Sequence, residues 1–494
     1  MLFNQFYFIF LFLPITVFGL LVLRTVLGQS RSLSILWLVI MSFAFYAYWS
    51  ISYVWVLFAS IAFNYVAGTV IQRWRSIWVL SIAICANLGL LGYFKYAGFL
   101  AQIIENASGH LPWTATVILP LGISFFTFQQ IAYLVDTYRN EAKDHGVLEY
   151  VLFIAFFPQL IAGPIVHQSE ILPQLRRRWA GGLSSRNFAI GGTIFIIGFF
   201  KKAVMGDTFG NYADPIFAAA TAGTQLSAQE AWTGMLAFTF QIYFDFSGYS
   251  DMAIGLARMF NIRLPENFRS PYKSTSIIEF WRTWHMTLSR FLRDYIYFPL
   301  GGNKKGRPRR YANLLIVMIV GGLWHGAGWL FVLWGAVHGL ALCINHFWRY
   351  VNKQVSPHST VIKLPHSLSW GLTFAVVSLS WVLFRSETPE AAMIVFTGLV
   401  NISPTEITTT VDGLIIGLIA VAFVWVTVLP SSQQFMRPYR PVLTPADDPL
   451  HPSSKRIVWS PTPVYAMSVG VLFFVAAFVY GSAHAPMDFI YFEF

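Results

Sequence analysis

The chain has 494 residues, of which 56% are hydrophobic and 11% charged, and its mean hydropathy is +0.57. Soluble domains carry about 25% charged residues, so this composition excludes a large soluble domain and indicates an integral membrane protein. The formal charge of +11 fits the excess of Lys and Arg in the cytoplasmic loops of such proteins. We therefore expect membrane lipids as partners and no nucleic acid.

Apolar runs suited to membrane helices recur along the chain. At about 20 residues per span, they predict an all-α polytopic membrane protein of roughly 10–12 membrane helices, forming a single domain over 1–494. The first run has no Lys or Arg before it, so we expect a retained span rather than a cleaved signal peptide. The runs lie at 6–23, 33–49, 51–71, 77–94, 114–135, 150–166, 188–204, 232–256, 312–348, 366–384, 411–429 and 464–481.

Loop charges predict the orientation of the helices. Between 258 and 310 there are twelve Lys and Arg against three acidic residues, so we expect a basic cytoplasmic segment at 257–311. The loop at 205–231 has no Lys or Arg and is expected outside. Continuing along the chain, the tail at 482–494, which also lacks Lys and Arg, is expected on the extracytoplasmic side.

The run at 312–348 must begin and end on the cytoplasmic side if this orientation holds. Its 37 residues are few for two spans of about 20 residues each, and glycines are frequent in its middle, where they disfavour a helix. We therefore expect a broken or re-entrant hairpin with His325 near its apex. Irregular backbone at that depth must be buried in protein or line a wet cavity.

His325 is the leading candidate for chemistry, because ionisable side chains inside a membrane are costly and a neutral imidazole is a suitable general base. The alternative is a structural histidine packed by Trp324 and Trp329. His338, in the return arm of the hairpin, is interpreted as structural.

His285 falls on the apolar stripe of a predicted in-plane helix whose other face is basic. On its position alone it is an interface residue rather than a catalyst. The stripe consists of Trp281, Trp284, His285, Leu288 and Leu292.

Asp245 and Asp251 lie inside or at the end of one predicted span. They are candidates for an ion-coupling or proton-relay pair, or for buried partners that orient an Arg or His. The two cysteines, Cys85 and Cys343, lack the spacing of metal ligands, and the chain has no phosphate loop or serine nucleophile elbow. We expect no metal and no bound cofactor.

The tail is rich in aromatic residues. After Asp488 the chain reads Phe-Ile-Tyr-Phe-Glu-Phe, which is typical of an interfacial anchor. Because the tail is so apolar, it could equally fold back into a cavity and bring the hydroxyl group of Tyr491 to the site.

Several motifs together resemble the membrane-bound O-acyltransferase family, and within it the branch that serves bacterial alginate O-acetylation. The resemblance covers about 80–345 and the aromatic C-terminus. The motifs lie at 87–96, 119–125, 127–129, 245–251, 265–268, 281–297, 299–302 and 322–327.

This resemblance implies that His325 is the catalytic histidine and that His285, forty residues upstream, accompanies it. It implies a ring of helices around a central funnel, and a separate extracytoplasmic polysaccharide O-acetyltransferase, of the SGNH type, as partner. It also implies that Tyr491 acts as an acyl relay, because related systems carry a similar aromatic motif around a tyrosine.

The function expected from these features is O-acetylation of an exopolysaccharide such as alginate at a bacterial inner membrane. Acetyl-CoA is the expected donor, with Arg290, Arg293 and Trp324 as donor-binding residues. Two alternatives remain open: a transporter or flippase of a lipid-linked sugar or anion, or an acyltransferase whose acceptor is teichoic acid or a lipid.

Overall fold

Every regular element that the structure describes is a helix, which confirms the all-α prediction. The computed structural model describes residues 1–26, 30–109, 118–141, 145–176, 183–355, 364–401, 411–443, 458–482, 487 and 489–490.

The first α-helices are α1 (Leu13–Val26), α2 (Arg31–Ala47), α3 (Ile51–Trp74), α4 (Ile77–Leu91), α5 (Ala97–Ser108), α6 (Ile123–Tyr138), α7 (Val147–Ala155), α8 (Phe157–Leu160), α9 (Gln168–Arg176), α10 (Ser185–Phe200) and α11 (Asp207–Thr221). Short π-helical segments extend or join neighbouring helices at Phe8–Phe12, Gly92–Tyr96, Lys201–Gly206 and Arg293–Tyr297.

The remaining α-helices are α12 (Ala228–Met259), α13 (Ile277–Thr283), α14 (Met286–Leu292), α15 (Gly306–His325), α16 (Trp329–Val355), α17 (His366–Arg385), α18 (Pro389–Gly398), α19 (Gly413–Val428), α20 (Ser432–Phe435) and α21 (Pro463–Ser482). Single 3₁₀ turns lie at Pro271–Lys273 and Arg437–Tyr439.

Seven helical stretches of the described chain are long and apolar enough to cross a membrane, so the protein is a multi-pass membrane protein. Two apolar helices, α2 and α19, are shorter. Other predicted runs form helices that are shorter or more polar, among them α6, α12 and α15. The long stretches are Phe8–Val26, Ile51–Trp74, Ile77–Ser108, Ser185–Thr221, Trp329–Gln354, His366–Arg385 and Pro463–Ser482.

One helix is longer than predicted. The run at 188–204 ends near charged residues, but the helical stretch continues through the π segment to Thr221. Lys201 pairs with Asp251 at 2.7 Å and Lys202 with Asp245 at 2.8 Å. Because buried charges are tolerated only when paired, these aspartates allow two lysines inside the helix.

α12 is the central helix, and nearly all of its residues are buried. It packs closely on α10, where a Cβ atom on Gly198 would lie 2.5 Å from the carbonyl oxygen of Gly248. Glycine permits such close approach between membrane helices. This packing holds Asp245 and Asp251 in the interior.

A buried amide network joins α3, α4 and α6. The Asn64 amide nitrogen donates to Asn87 Oδ1 at 3.0 Å and to Gln130 Oε1 at 2.7 Å. The Asn87 amide nitrogen donates back to Asn64 Oδ1 at 2.7 Å. Side-chain hydrogen bonds of this kind hold helices together where the surroundings are apolar.

α15 and α16 form the predicted hairpin, with His325 as the last residue of the first arm. The arms have 20 and 27 residues, more than the apolar run suggested, because each continues into the flanking polar sequence. At 1.5 Å per residue, the shorter arm is about 30 Å long.

The glycines of the hairpin have a different role from the one predicted. A Cβ atom on Gly322 would lie 2.1 Å from the carbonyl oxygen of Phe331, and one on Gly335 would lie 2.3 Å from that of Met318. These two glycines allow two regular helices to pack tightly. Only the short turn from Gly326 to Gly328 interrupts them.

Candidate active site

A cavity of 520 Å³ reaches the tip of the hairpin. Its walls come from the N-terminus, the end of α2, the π segment Gly92–Tyr96 and the loop that leads into α6. His325, Trp324 and Lys95 contribute to its lining. The end of the first arm, at Trp324 and His325, thus borders an open space, as the sequence predicted.

His325 is buried among aromatic rings. Its ring centroid lies 4.9 Å from that of Trp324, 5.2 Å from that of Trp334 and 5.2 Å from that of Phe384. Trp329, which the sequence suggested as a packing partner, is 64% exposed. The rings restrict the orientation of the imidazole and exclude water from most of its surface.

Lys95 and Tyr96 fix the end of α15. Lys95 Nζ donates to the carbonyl oxygens of Trp324 and His325 at 2.7 and 2.9 Å, and the Tyr96 hydroxyl group donates to that of Leu323 at 2.6 Å. The last carbonyls of a helix lack partners within the helix, and a cation there also interacts favourably with the helix dipole. Sequence reasoning missed this role, although Lys95 lies in one of the motifs.

His285 does not lie within a helix, so the predicted continuous stripe is wrong. α13 ends at Thr283 and α14 begins at Met286, and His285 between them has a left-handed backbone with φ of 42°. Such a conformation is uncommon for a residue other than glycine and is concentrated at functional sites.

Asn267 stabilises this break. Its Oδ1 lies 3.1 Å from His285 Nδ1 and accepts a hydrogen bond from the Thr287 hydroxyl group at 2.8 Å. Its carbonyl oxygen accepts from the Met286 amide at 2.9 Å. His285 lies outside the candidate spans but is fully buried, and this burial lowers the pKa of its imidazole to about 3. The ring is therefore neutral near pH 7.

The structure brings the two predicted histidines together. The ring centroids of His285 and His325 are 6.3 Å apart, and the Trp324 ring lies 5.9 Å from His285. Trp324 also stacks on Phe128 at 5.4 Å. His325 and Trp324 line the cavity, and His285 lies beside both of them. Two imidazoles and an indole thus meet next to the cavity, an arrangement that can move a proton at a small reacting group.

The two arginines predicted to bind the donor occupy different environments. Arg290 pairs with Glu170 through both terminal nitrogens, at 2.6 and 2.9 Å, and donates to the Ile165 carbonyl oxygen at 3.2 Å. Arg293 is paired with Asp294 at 2.7 Å, and its side chain is 56% exposed. The Glu170 pair gives Arg290 a structural contact that the sequence did not predict.

Asp245 and Asp251 are both paired with lysines, not with an Arg or His. Besides Lys201, Asp251 accepts hydrogen bonds from Ser432 Oγ and Gln433 Nε2, both at 2.6 Å. This arrangement fits the structural alternative for Asp251.

His338 has two hydrogen-bond partners. Its Nδ1 accepts from Trp281 Nε1 at 3.2 Å, and its Nε2 lies 2.8 Å from Ser380 Oγ. These contacts, which link α13, α16 and α17, agree with a structural histidine.

The described part of the tail lies inside the protein. Phe489 is 1% exposed and Ile490 3% exposed, and the Phe489 ring lies 5.7 Å from that of Phe246. Phe246 in turn contacts His285 edge to face at 4.7 Å. These positions favour the folded-back tail over the interfacial anchor, while Tyr491 itself lies outside the described residues.

Among the described residues, no group of three or more His, Cys, Asp or Glu is arranged to hold a metal ion.

The fold and the site together define a class: a helical multi-pass membrane protein with two neighbouring buried histidines, one of which lines a cavity. The model of the MBOAT, membrane-bound O-acyltransferase family matches residues 25–362, a stretch that includes His285 and His325. The chain belongs to this family and is a membrane O-acyltransferase, which confirms the resemblance seen in the motifs.

Several relatives act on bacterial envelope polymers, judging by their names. The chain is 42% identical to a peptidoglycan O-acetyltransferase of Helicobacter pylori, over 82% of this chain and 80% of the relative. It is 36% identical to a probable alginate O-acetylase, AlgI, of Pseudomonas putida, over the full length of both. A teichoic acid D-alanyltransferase of Streptococcus thermophilus is 26% identical over 63% of this chain and 80% of the relative.

Proposed function

We propose that the protein takes an acetyl group from a cytoplasmic thioester, acetyl-CoA, and passes it across the bacterial inner membrane for O-acetylation of an extracytoplasmic polysaccharide. The observation that carries this proposal is the pair of buried histidines, with ring centroids 6.3 Å apart, of which His325 lines a cavity inside the membrane domain. The names of the relatives support acetyl as the acyl group and a polymer as the acceptor.

The orientation follows from charge. The basic segment at 257–311 is assigned to the cytoplasm, as the positive-inside rule requires. The hairpin that starts there carries His325 to its far end, where the cavity lies. The donor therefore approaches from the cytoplasmic side and the acceptor from the cavity, and the tail leaves the last helix on the extracytoplasmic side.

His325 is the general base in this proposal. It accepts the proton of the attacking hydroxyl group as that oxygen adds to the thioester carbonyl carbon. The carbon–sulfur bond then breaks, and the same proton passes to the departing thiolate, so that CoA leaves as a thiol. Base catalysis of this kind accounts for about 10²–10⁴-fold in rate, and the packed rings around His325 supply orientation. His285, neutral and held by Asn267, binds the carbonyl group or shares the proton.

Arg290 and Arg293 hold the phosphate groups of the donor on the cytoplasmic side, and Trp324 binds its thioester end beside His325. CoA carries several phosphate charges, which guanidinium groups bind well. Arg293 is the more accessible of the two arginines, because Arg290 is held by Glu170. The indole of Trp324 offers a flat apolar surface beside His325 for the acetyl thioester.

Tyr491 is the proposed acyl relay. Its phenol, with a pKa near 10 in water, forms an ester that is more reactive than an alkyl ester. Transfer from CoA makes a carbon–oxygen bond to Tyr491. In a second step, a serine hydroxyl group of the partner attacks that ester, and the phenol recovers its proton. The burial of Phe489 and Ile490 near Phe246 supports a tail that reaches the histidines.

The partner is an extracytoplasmic polysaccharide O-acetyltransferase of the SGNH type. Alginate is the acceptor suggested by the relatives named AlgI, and peptidoglycan is an alternative that the Helicobacter pylori relative favours. Measurement of ester-linked acetate on each polymer in a strain without this gene decides between them. The family membership disfavours the transporter alternative, because the family's chemistry is acyl transfer.

Mass spectrometry of the C-terminal peptide tests the relay. Wild-type protein incubated with acetyl-CoA is expected to gain the mass of one acetyl group on Tyr491, and the adduct should be lost on addition of the partner. Tyr491→Phe keeps the aromatic ring and removes only the hydroxyl group, so its membrane yield should match wild type while polymer acetylation stops. Full polymer acetylation in the Tyr491→Phe strain would eliminate the relay.

A further inference from the structure

Two charged side chains in the protein interior, Lys202 and Asp245, hold the backbone of the C-terminal tail. Lys202 Nζ donates to the Met487 carbonyl oxygen at 3.3 Å, and the Ile490 amide donates to Asp245 Oδ2 at 2.8 Å. Lys202 also pairs with Asp245 at 2.8 Å and with Asp207 at 2.6 Å. We call Lys202, Asp207 and Asp245 the charged triad.

The composition of the charged triad explains why it can bind a peptide segment. One ammonium group lies between two carboxylates, so the triad has an excess of acceptor oxygens. A buried carboxylate needs hydrogen-bond donors as well as an opposite charge, and a backbone amide is a strong donor to it. The Ile490 amide supplies this donor, and the Met487 carbonyl group uses one of the ammonium protons.

Apolar contacts on either side of the charged triad fit the same segment. The Phe489 ring stacks on Tyr249 at 4.6 Å. Gly210 leaves the space that Met487 fills, since a Cβ atom there would lie 2.5 Å from Met487 Sδ. Polar and apolar contacts thus hold Met487, Phe489 and Ile490 of the tail in one register.

We propose that the charged triad is the docking site of the tail, and that Lys202 and Asp245 are positioning residues that direct Tyr491 toward the histidines. This inference rests on the proposed function for the role of Tyr491. Ile490 directly precedes Tyr491, and the path from Phe489 through Phe246 to His285 has ring separations of 5.7 and 4.7 Å.

The neighbouring lysine–aspartate pair provides a matched comparison. Lys201 and Asp251 come from the same two elements and are equally buried. Asp251 is bonded to Ser432 and Gln433 and not to the described tail residues. A change at Asp251 therefore disturbs a similar ion pair without removing a contact to the tail.

Hydrogen exchange of the full-length protein in detergent micelles, followed by mass spectrometry of the peptide from 487 to 494, tests the docking. Asp245→Leu removes the acceptor for Ile490 and leaves the Lys202–Asp207 pair, so we expect exchange at Ile490 to accelerate about tenfold or more. Asp245→Asn keeps an acceptor oxygen and should retain most of the protection. Asp251→Asn should leave exchange in the tail unchanged. Wild-type exchange rates in Asp245→Leu would overturn the docking site.

A second variant covers the case in which Asp245→Leu does not fold. Gly210→Ala leaves all charges in place but puts a methyl group where Met487 lies, so it should also accelerate exchange in the tail. Combining it with Met487→Ala restores the space and should recover protection. If Gly210→Ala leaves the tail as protected as in wild type, the proposed register is wrong.

The acetylation of Tyr491 distinguishes the two levels of the proposal. In Asp245→Leu or Gly210→Ala, faster exchange of the tail amides together with a loss of Tyr491 acetylation supports both the docking site and the acyl relay. Faster exchange with unchanged polymer acetylation retains the docking site but contradicts the relay. Unchanged exchange with lost acetylation contradicts the docking and leaves the proposed function intact.

Discussion

His285 has a backbone conformation that its sequence context does not indicate. The apolar spacing from Trp281 to Leu292 fits one helix, yet the helix ends at Thr283 and restarts at Met286. The cause is Asn267, a residue 18 positions earlier that binds the His285 ring, the Met286 amide and the Thr287 hydroxyl group. The spacing of apolar residues reflects only the local tendency to form a helix. It therefore could not predict a break in the helix that the distant Asn267 side chain stabilises.

Lys95 is the second residue whose role depends on a distant part of the chain. Its partners, the carbonyl groups of Trp324 and His325, lie 229 and 230 residues away. The sequence identified the motif that contains Lys95 but not these contacts. Without Lys95, two carbonyl groups at the end of α15 would lose a charged donor beside the proposed base.

Lys95→Met is expected to lower turnover far more than it lowers stability. A shift of about 1 Å in a catalytic group can cost about a hundredfold in rate, so loss of these hydrogen bonds at the end of α15 should displace His325 and reduce kcat by about tenfold to a hundredfold. Tyr96→Phe, which removes a neutral hydrogen bond to Leu323, is the control and should have a smaller effect. Equal turnover in Lys95→Met and wild type would show that the end of α15 is held by other contacts.

At the scale of elements, the hairpin illustrates what the sequence could and could not predict. Charge bias on both sides of 312–348 required the chain to return, and the observed hairpin confirms this. Each arm extends beyond the apolar run because hydropathy marks the apolar part of a helix and not its polar ends. The glycine content predicts a break in the helix, whereas the close contact between Gly322 and Phe331 depends on a partner helix that local propensity does not reveal.

The buried amide network of α3, α4 and α6 is expected to stabilise the helix packing rather than the chemistry. Asn87→Leu removes reciprocal hydrogen bonds with Asn64. Hydrogen bonds between membrane helices contribute about 0.6–2 kcal/mol, so the thermal unfolding midpoint in detergent should fall while activity per folded molecule persists. Leu88→Ala, at an exposed position one residue along α4, is the control. An unchanged unfolding midpoint in Asn87→Leu would mean that the amide hydrogen bonds make no net contribution to stability.

At the scale of the whole molecule, the membrane orientation rests on loop charges. Single cysteines in a Cys85→Ala/Cys343→Ala background test it in intact cells with an impermeant maleimide. Lys304→Cys, in the basic segment, should be protected, whereas Gln225→Cys, in the loop at 205–231, should be labelled. Both positions are exposed in the structure, so accessibility to the reagent depends on the side of the membrane. Labelling of Lys304→Cys would reverse the orientation and the direction of acyl transfer.

The whole-molecule organisation was the most predictable level. Composition and hydropathy predict a helical membrane protein, and loop charge alone predicts the hairpin that carries His325. Packing between distant segments was not predictable, as the lysine partners of Asp245 and Asp251 show. Lys201 and Lys202 lie within the predicted run at 188–204, but the sequence does not indicate that Asp251 and Asp245 are their partners.

The central claim is that His325 performs acyl transfer, and the most direct measurement uses purified full-length protein with radiolabelled acetyl-CoA. Wild type is expected to release CoA thiol and to become labelled with acetyl itself. His325→Ala, at the same unfolding midpoint, should do both at least about a hundredfold more slowly. His285→Ala should be impaired as well. Thiol release and protein labelling at the wild-type rate in a folded His325→Ala variant would contradict the account.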